Sequence, residues 1–274
     1  MLKPWLLWAE VTNRCNSNCT YCYRKYVPRL LQDMDLEFYK WLIDSCPFIT
    51  EVRPGGVGEP LLYPHLEEAI AYAHARGKRT CFYTNASLLM PARSLALMEA
   101  GLDEIRFSVD EADKEKFEAI RPLDFEVIRS NILQFHKIRE EGGFSTKTMI
   151  RTCLTPENKD RLNAISTFWT PYVDVIDFVR VVKFFTPAEL LAQKWATDEP
   201  FSCDRPSEHL SIKSNGDMVL CCNDYYGTYR IGNLQDRSDP LEMFNSPKFN
   251  RIRDGITSGK NFPRLCLACH PKGD

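Results

Sequence analysis

Leu6-Leu7-Trp8-Ala9-Glu10-Val11 runs through Thr12-Asn13-Arg14 into Cys15-Asn16-Ser17-Asn18-Cys19-Thr20-Tyr21-Cys22. The first six residues read as a strand. Three cysteines stand in the loop directly after it, where barrel-type α/β folds place their chemistry. Further strand candidates lie at 51–53, 79–83, 104–109, 148–153 and 173–182. Between them, Leu66, Ala69, Ile70 and Ala73 recur at helical spacing, as do Ile128, Ile132 and Phe135. Six strands separated by helices predict an α/β fold, a parallel sheet with crossover helices.

The pattern changes after residue 182. A short helix is expected around 188–195. Segments 209–213 and 217–222 flank Ser214-Asn215-Gly216, a hairpin signature built on the Asn-Gly turn. Asp239-Pro240 reads as a helix start, with Asp as cap and Pro in the first turn. The expected organisation is a barrel over 1–182, a linker over 183–202 and a small appended module over 203–274. So short a module gains from a metal staple.

Composition narrows the function. The 274 residues carry a net charge of −2, 44% hydrophobic and 12% aromatic residues, enough for a real core and against disorder. Near-zero charge gives no electrostatic case for nucleic acid or an acidic membrane surface. No apolar run approaches the ~20 residues of a membrane span, and Met1-Leu2-Lys3-Pro4-Trp5 carries no export signal. A cytoplasmic protein is expected. Eleven cysteines, an odd number, cannot all pair; in a reducing compartment they more often bind metal or do redox chemistry.

Three thiolates within eight residues suit one face of a cubane iron–sulfur cluster, leaving one iron open, or a zinc site completed from elsewhere. The three-then-two spacing, with Tyr21 before the third cysteine, resembles the radical S-adenosylmethionine (SAM) superfamily. Gly55-Gly56-Val57-Gly58-Glu59-Pro60 resembles that family's Gly-Gly-Glu segment, Thr84-Asn85 and Ser108-Val109-Asp110 resemble its strand ends, and Ile120-Arg121-Pro122 a segment with a SAM-binding arginine. The resemblance implies a partial (β/α)6 TIM-like barrel. It also implies a SAM-binding [4Fe-4S] cluster on Cys15, Cys19 and Cys22. Gly56, Gly58 and Glu59 would then face the SAM ammonium, Arg121 the carboxylate, and Tyr21, Asn85 and Ser108 would be further contacts. Glu59 also reads as a turn residue, Ser108 as a helix cap and Arg121 as a surface ion-pair residue.

Cys203, twelve residues, Gly216, four residues and Cys221, followed by Cys266-Leu267-Ala268-Cys269, resembles SPASM and twitch modules. The likeness implies one auxiliary [4Fe-4S] cluster on Cys203, Cys221, Cys266 and Cys269, as in butirosin-type aminocyclitol dehydrogenases. A four-cysteine zinc ribbon uses the same thiolates, and Cys266 to His270 also matches a c-type haem string. Strand alternation sends Cys221 and Cys222 to opposite faces, which leaves Cys222 as buried filler or as a hydrogen-atom donor. Cys46, Cys81 and Cys153 read as small core residues, with Cys153, at a strand end, the exception to watch.

For a radical SAM enzyme, an auxiliary cluster with no vacant iron fits electron acceptance. That favours two-electron oxidation of an alcohol carbon on a small molecule such as a sugar or aminocyclitol. Arg180 and Lys183 are candidate proton acceptors or a solvated basic edge; Glu10 and Asp174 are further polar barrel residues. Epimerisation with Cys222 as donor and radical modification of a peptide are the alternatives. A flavodoxin- or ferredoxin-type electron donor is the implied partner.

Overall fold

The computed structural model describes residues 1–26, 29–181, 185–198 and 202–269. Strand β1 (Leu6–Ala9) leads through the cysteine loop to helix α1 (Leu36–Ser45), then β2 (Glu51–Pro54), α2 (Leu66–His74) and β3 (Arg79–Thr84). Next come α3 (Pro91–Glu99), β4 (Glu104–Ser108), α4 (Lys114–Ile120), α5 (Phe125–Gly142) and β5 (Lys147–Leu154), then α6 (Leu162–Trp169) and β6 (Val175–Arg180). Strands β1 to β6 pair in sequence order and in parallel. The six-stranded partial barrel is as expected. Helix α2 buries Leu66, Ala69, Ile70 and Ala73, and α5 buries Ile128, Ile132 and Phe135. Each large apolar side chain so buried contributes ~1.5–3 kcal/mol.

The remaining elements are α7 (Pro187–Ala192), β7 (Trp195–Ala196), α8 (Arg205–Glu208), β8 (His209–Ile212), β9 (Asp217–Val219) and β10 (Arg230–Asn233). Then come α9 (Pro240–Phe244), α10 (Pro247–Ser258) and β11 (Phe262–Pro263). The β8–β9 hairpin turns at Gly216, whose φ of +82° is the left-handed region that Gly enters without strain. Asp239 caps α9, its carboxylate accepting from Leu241 N and Glu242 N.

Two features differ from the sequence reading. Strand β8 pairs in parallel with β1, Leu6 opposite His209, so the C-terminal strands continue the barrel's own sheet in the order β10-β9-β8-β1-β2-β3-β4-β5-β6. Strand β9 also ends at Val219, short of the cysteines. Asp224 N donates to Cys221 O at 3.0 Å, closing a turn with Cys222 and Asn223 at its centre. Alternation between strand faces therefore does not govern Cys221 and Cys222.

Glu10 ties the barrel to this C-terminal extension. Only 1% exposed, it accepts hydrogen bonds from the two terminal guanidinium nitrogens of Arg29, at 2.7 and 3.0 Å, and from the Ser214 hydroxyl at 3.1 Å. Lys213 Nζ lies 3.6 Å away. Burial raises the Glu10 pKa, but Lys213 and Arg29 outweigh it and hold the carboxyl below its ordinary value. It is a structural knot, not an open base. Glu10→Ala leaves the buried Lys213 and the partly buried Arg29 without their carboxylate and is expected to cost about 3–5 kcal/mol, measured by denaturant unfolding.

Asp174 lies at the opposite end from the cysteine loop, before β6. Its carboxylate accepts from Arg139 Nη1 at 2.6 Å and Thr148 N at 2.7 Å. That removes it from the candidates for site chemistry.

Candidate active site

The loop after β1 is held from several sides. Cys22 N donates to Cys19 O at 3.0 Å, Thr20 N to Ile120 O at 3.0 Å and Glu59 N to Arg14 O at 2.7 Å. The Arg14 guanidinium pairs with Asp33 at 2.6 Å. The glycine segment after β2 lies against this loop. A Cβ on Gly58 would fall 2.4 Å from Thr12 O and 2.6 Å from Arg14 O, and one on Gly56 would fall 2.6 Å from Glu10 Cγ. Only glycine permits so close an approach.

Glu59 sits at the centre, 3% exposed. Its carboxylate accepts from the Thr84 hydroxyl at 2.6 Å, Asn85 N at 2.8 Å and Leu61 N at 3.1 Å. Burial nevertheless pushes its pKa up. Of about four acceptor positions on a carboxylate, three are used. The Asn85 side chain bonds Asn16, Ser87 N and the Ser87 hydroxyl. Next to it, fully buried Ala86 holds φ at +60°, a strained conformation for a non-glycine residue beside a candidate site.

Arg121 is 7% exposed. Its Nε donates to Asp110 Oδ2 at 2.6 Å, its Nη2 to the Tyr21 hydroxyl, and its Nη1 points to Cys19 Sγ at 3.7 Å. Tyr21 in turn donates to Asp110 Oδ2 at 2.7 Å, and Cys153 N donates to Asp110 Oδ1 at 2.8 Å. The fully buried Asp110 organises Tyr21, Arg121 and the end of β5. In the sequence, Asp110 stands out only as the last residue of the strand-end segment Ser108-Val109-Asp110. Its signal was an acid just past the end of a strand.

Cys15, Cys19, Cys22, Tyr21, Gly56, Gly58, Glu59, Asn85, Ser108 and Arg121 all border one cavity of about 500 Å³, and so do Cys153, Arg180 and Cys222. Lys183 lies outside the described residues. Cys46 and Cys81 are fully buried elsewhere. Arg53, which borders the cavity, pairs with Glu51 at 2.5 Å, and Arg79 bridges Glu51 and Glu104. Trp8 stacks on Tyr83 within the barrel.

Burial pushes the Cys15 thiol up to about 11, and raises Cys22 as well. Such thiols ionise when a metal takes the sulfur. Three soft donors on an open cavity, beside a buried carboxylate and a buried guanidinium, fit a three-cysteine cluster with a zwitterion at its free iron.

The second cysteine group gathers on the C-terminal side. Cys221 is buried, with Cys222 and Cys266 among its electrostatic neighbours, and Cys266 has Cys203 and Cys269 among its own. Burial raises the pKa of Cys203, Cys221 and Cys266. Asn223 Nδ2 donates to Cys269 Sγ at 3.2 Å, and Cys269 N to Cys266 O at 3.1 Å. Burial works against the Arg205 charge, but Cys222, Cys221, Cys269 and Cys203 outweigh it and raise its pKa. A cation whose charge is favoured by three of the four proposed ligands, Cys203, Cys221 and Cys269, fits an anionic cluster there.

The radical SAM superfamily model matches residues 9–168, and the SPASM iron–sulfur cluster-binding domain matches residues 203–270. The chain is 37% identical over 117 residues to the GTP 3',8-cyclase of Chlorobaculum tepidum, covering 42% of this chain and 35% of that protein. It is 26% identical over 167 residues to a tungsten-containing aldehyde ferredoxin oxidoreductase cofactor-modifying protein of Pyrococcus furiosus, covering 59% and 47%. The chain thus spans less than half the length of these curated relatives. Among solved structures, BtrN in complex with AdoMet and 2-DOIA superposes with a TM-score of 0.61 at 18% identity, covering 94% of this chain and 89% of that one. Streptococcus suis SuiB bound to precursor peptide SuiA gives 0.74 at 13% identity, covering 100% and 74%. At these identities the likeness shows the fold alone. No helix among the described residues is long and apolar enough to cross a membrane.

Proposed function

The chain belongs to the radical SAM superfamily and carries a SPASM iron–sulfur cluster-binding domain; from that premise we propose that it oxidises an alcohol carbon of a small molecule by two electrons, with the C-terminal cluster as electron acceptor. The observation that carries this reading is one cavity bordered by Cys15, Cys19 and Cys22 and also by Asn223, which bonds Cys269. Substrate held there has the hydrogen-abstracting side and the electron-accepting side on two walls of one chamber. Bound to the first three cysteines, a four-iron cluster with SAM supplies the one-electron chemistry.

The chain's own residues do the rest. Gly56 and Gly58 let the segment after β2 lie close to the cysteine loop. Glu59 offers its remaining acceptor position to the SAM ammonium, and Arg121 presents a fixed positive charge beside Cys19. Asn85, Ser108 and Tyr21 shape the same wall. Arg180, at the end of β6, is our candidate to receive the hydroxyl proton, with Lys183 the sequence neighbour in the same role. Cys203, Cys221, Cys266 and Cys269 hold the auxiliary cluster. Sugars and aminocyclitols are the proposed substrates, in keeping with the 2-DOIA in the BtrN complex, and a flavodoxin or ferredoxin the proposed electron donor.

One observation favours a second reading. Cys222 borders the cavity, as a hydrogen donor in radical epimerisation must. Product analysis decides between the two. A panel of sugars and aminocyclitols turned over in deuterated water is expected to give a product two hydrogens poorer, without solvent deuterium at the reacting carbon. A redox-neutral, deuterated product would reject oxidation.

For the SAM contacts, Glu59→Gln and Arg121→Ala are expected to weaken SAM binding about ten- to a hundredfold, the loss of one charged hydrogen bond at ~1.5–3 kcal/mol. Calorimetric titration with iron content held constant checks this. Unchanged affinity removes the residue from the assignment.

A further inference from the structure

Two stacked tyrosines stand between the cysteine groups. Tyr23 follows Cys22 directly, and its ring lies on Tyr225 with centroids 3.2 Å apart and planes 14° from parallel. The Tyr225 hydroxyl donates to Asn223 Oδ1 at 2.9 Å, and Asn223 Nδ2 donates to Cys269 Sγ at 3.2 Å. Each link from Cys22 to Cys269 is therefore a covalent connection, a ring contact or a hydrogen bond. The turn that presents Asn223 begins at Cys221, so the same route reaches a second cysteine of that group through the backbone.

This segment is anchored for its length. Asp224 N donates to Cys221 O, and the Asp224 carboxylate accepts from Thr228 N and Tyr229 N at 2.9 Å each. Arg29 Nη2 donates to Tyr225 O at 3.3 Å while its two terminal nitrogens hold Glu10. The ring stack is thus braced by the same knot that joins β1 to the C-terminal hairpin. Such bracing fixes the ring separation, and electron tunnelling falls steeply with every gap in a path.

We propose that Tyr23, Tyr225 and Asn223 form the electron route between the N-terminal and C-terminal cluster sites. The proposal rests on the two-cluster reading above, and its electrons balance within it. One electron at the N-terminal site cleaves the carbon–sulfur bond of SAM, giving methionine and an adenosyl carbon that takes a hydrogen atom from the substrate. The substrate carbon then loses a proton from its hydroxyl and one electron, which reduces the C-terminal cluster. Along the tyrosine route that electron returns to the N-terminal site, so SAM and the alcohol become methionine, 5'-deoxyadenosine, ketone and a proton with no net electron consumed. Tyr23 and Tyr225 are positioning residues here, because neither needs to touch the substrate.

The test uses the reconstituted full chain with both clusters and no substrate. A flash of photoreductant delivers one electron per chain, and freeze-quench electron paramagnetic resonance follows its redistribution between the clusters, with SAM added to mark the N-terminal signal. Tyr225→Leu and Tyr23→Leu are expected to keep their iron and slow the redistribution by roughly tenfold or more. Tyr225→Phe keeps the ring and is expected to stay nearer the native rate. Native rates in both leucine variants would overturn the proposal, as would slowing that tracks iron loss instead of ring loss. Because no substrate is present, the result is independent of whether the product is oxidised or epimerised, and the iron count reports separately on the two-cluster reading.

Discussion

Replacing Cys15, Cys19 and Cys22 together by alanine is expected to abolish reductive SAM cleavage while leaving the C-terminal cluster in place. Anaerobically reconstituted native protein should hold about eight irons, and the triple variant about four, from three plus four thiolate ligands. The loss of activity should be complete, because these thiolates are the proposed anchor of the iron that meets SAM. The two cysteine groups lie on separate elements, one in the loop after β1 and the other on the segment before α8, the turn after β9 and the turn at 266–269. The fold should therefore survive. Iron quantitation and 5'-deoxyadenosine formation with dithionite check both halves. Tightly bound zinc, with no iron retained after anaerobic purification, would sink the assignment.

The barrel was legible because its signals are local. The apolar run at 6–11 and the helical spacing of Leu66, Ala69, Ile70 and Ala73 mark what is buried, whatever lies across from it. The cysteine spacings were legible for the same reason: ligands on one loop are set by that loop. What the sequence hid depends on partners far along the chain. Nothing near His209 announces that it pairs beside Leu6, and nothing near Asp110 announces that Tyr21 and Arg121 will converge on it. Cys222 shows the cost of extending a local rule too far. The run 217–222 reads as a strand, but β9 ends at Val219, and Asp224 N closes a turn back onto Cys221 O. The stacked Tyr23 and Tyr225 are separated by some 200 residues of chain, and no periodicity joins them.

That turn puts the sharpest remaining question on one thiol. Cys222 borders the cavity, whereas Cys221 is 9% exposed and packs in the core near Cys266. Neighbours in sequence thus have different surroundings: one suits a cluster ligand, and the other a group that meets substrate. If the enzyme oxidises, the substrate must lose an electron and regain no hydrogen. Cys222→Ala should then still form product, while Cys266→Ala and Cys269→Ala, which remove ligands from the acceptor, should stop turnover. If it epimerises, the order changes. The native enzyme would place solvent deuterium at the reacting carbon, since a thiol exchanges its hydrogen with water, and Cys222→Ala would abolish that incorporation. Substrate consumption could persist in the variant, because abstraction precedes the donation that Cys222 would make. Burial and the neighbouring cations Arg205 and Lys213 act oppositely on this thiol, and burial wins, raising its pKa. A protonated thiol is the form that can give up a hydrogen atom, so protonation alone suits donation and does not discriminate. Solvent deuterium in the native product, lost in Cys222→Ala, is the result that would move the assignment from oxidation to epimerisation.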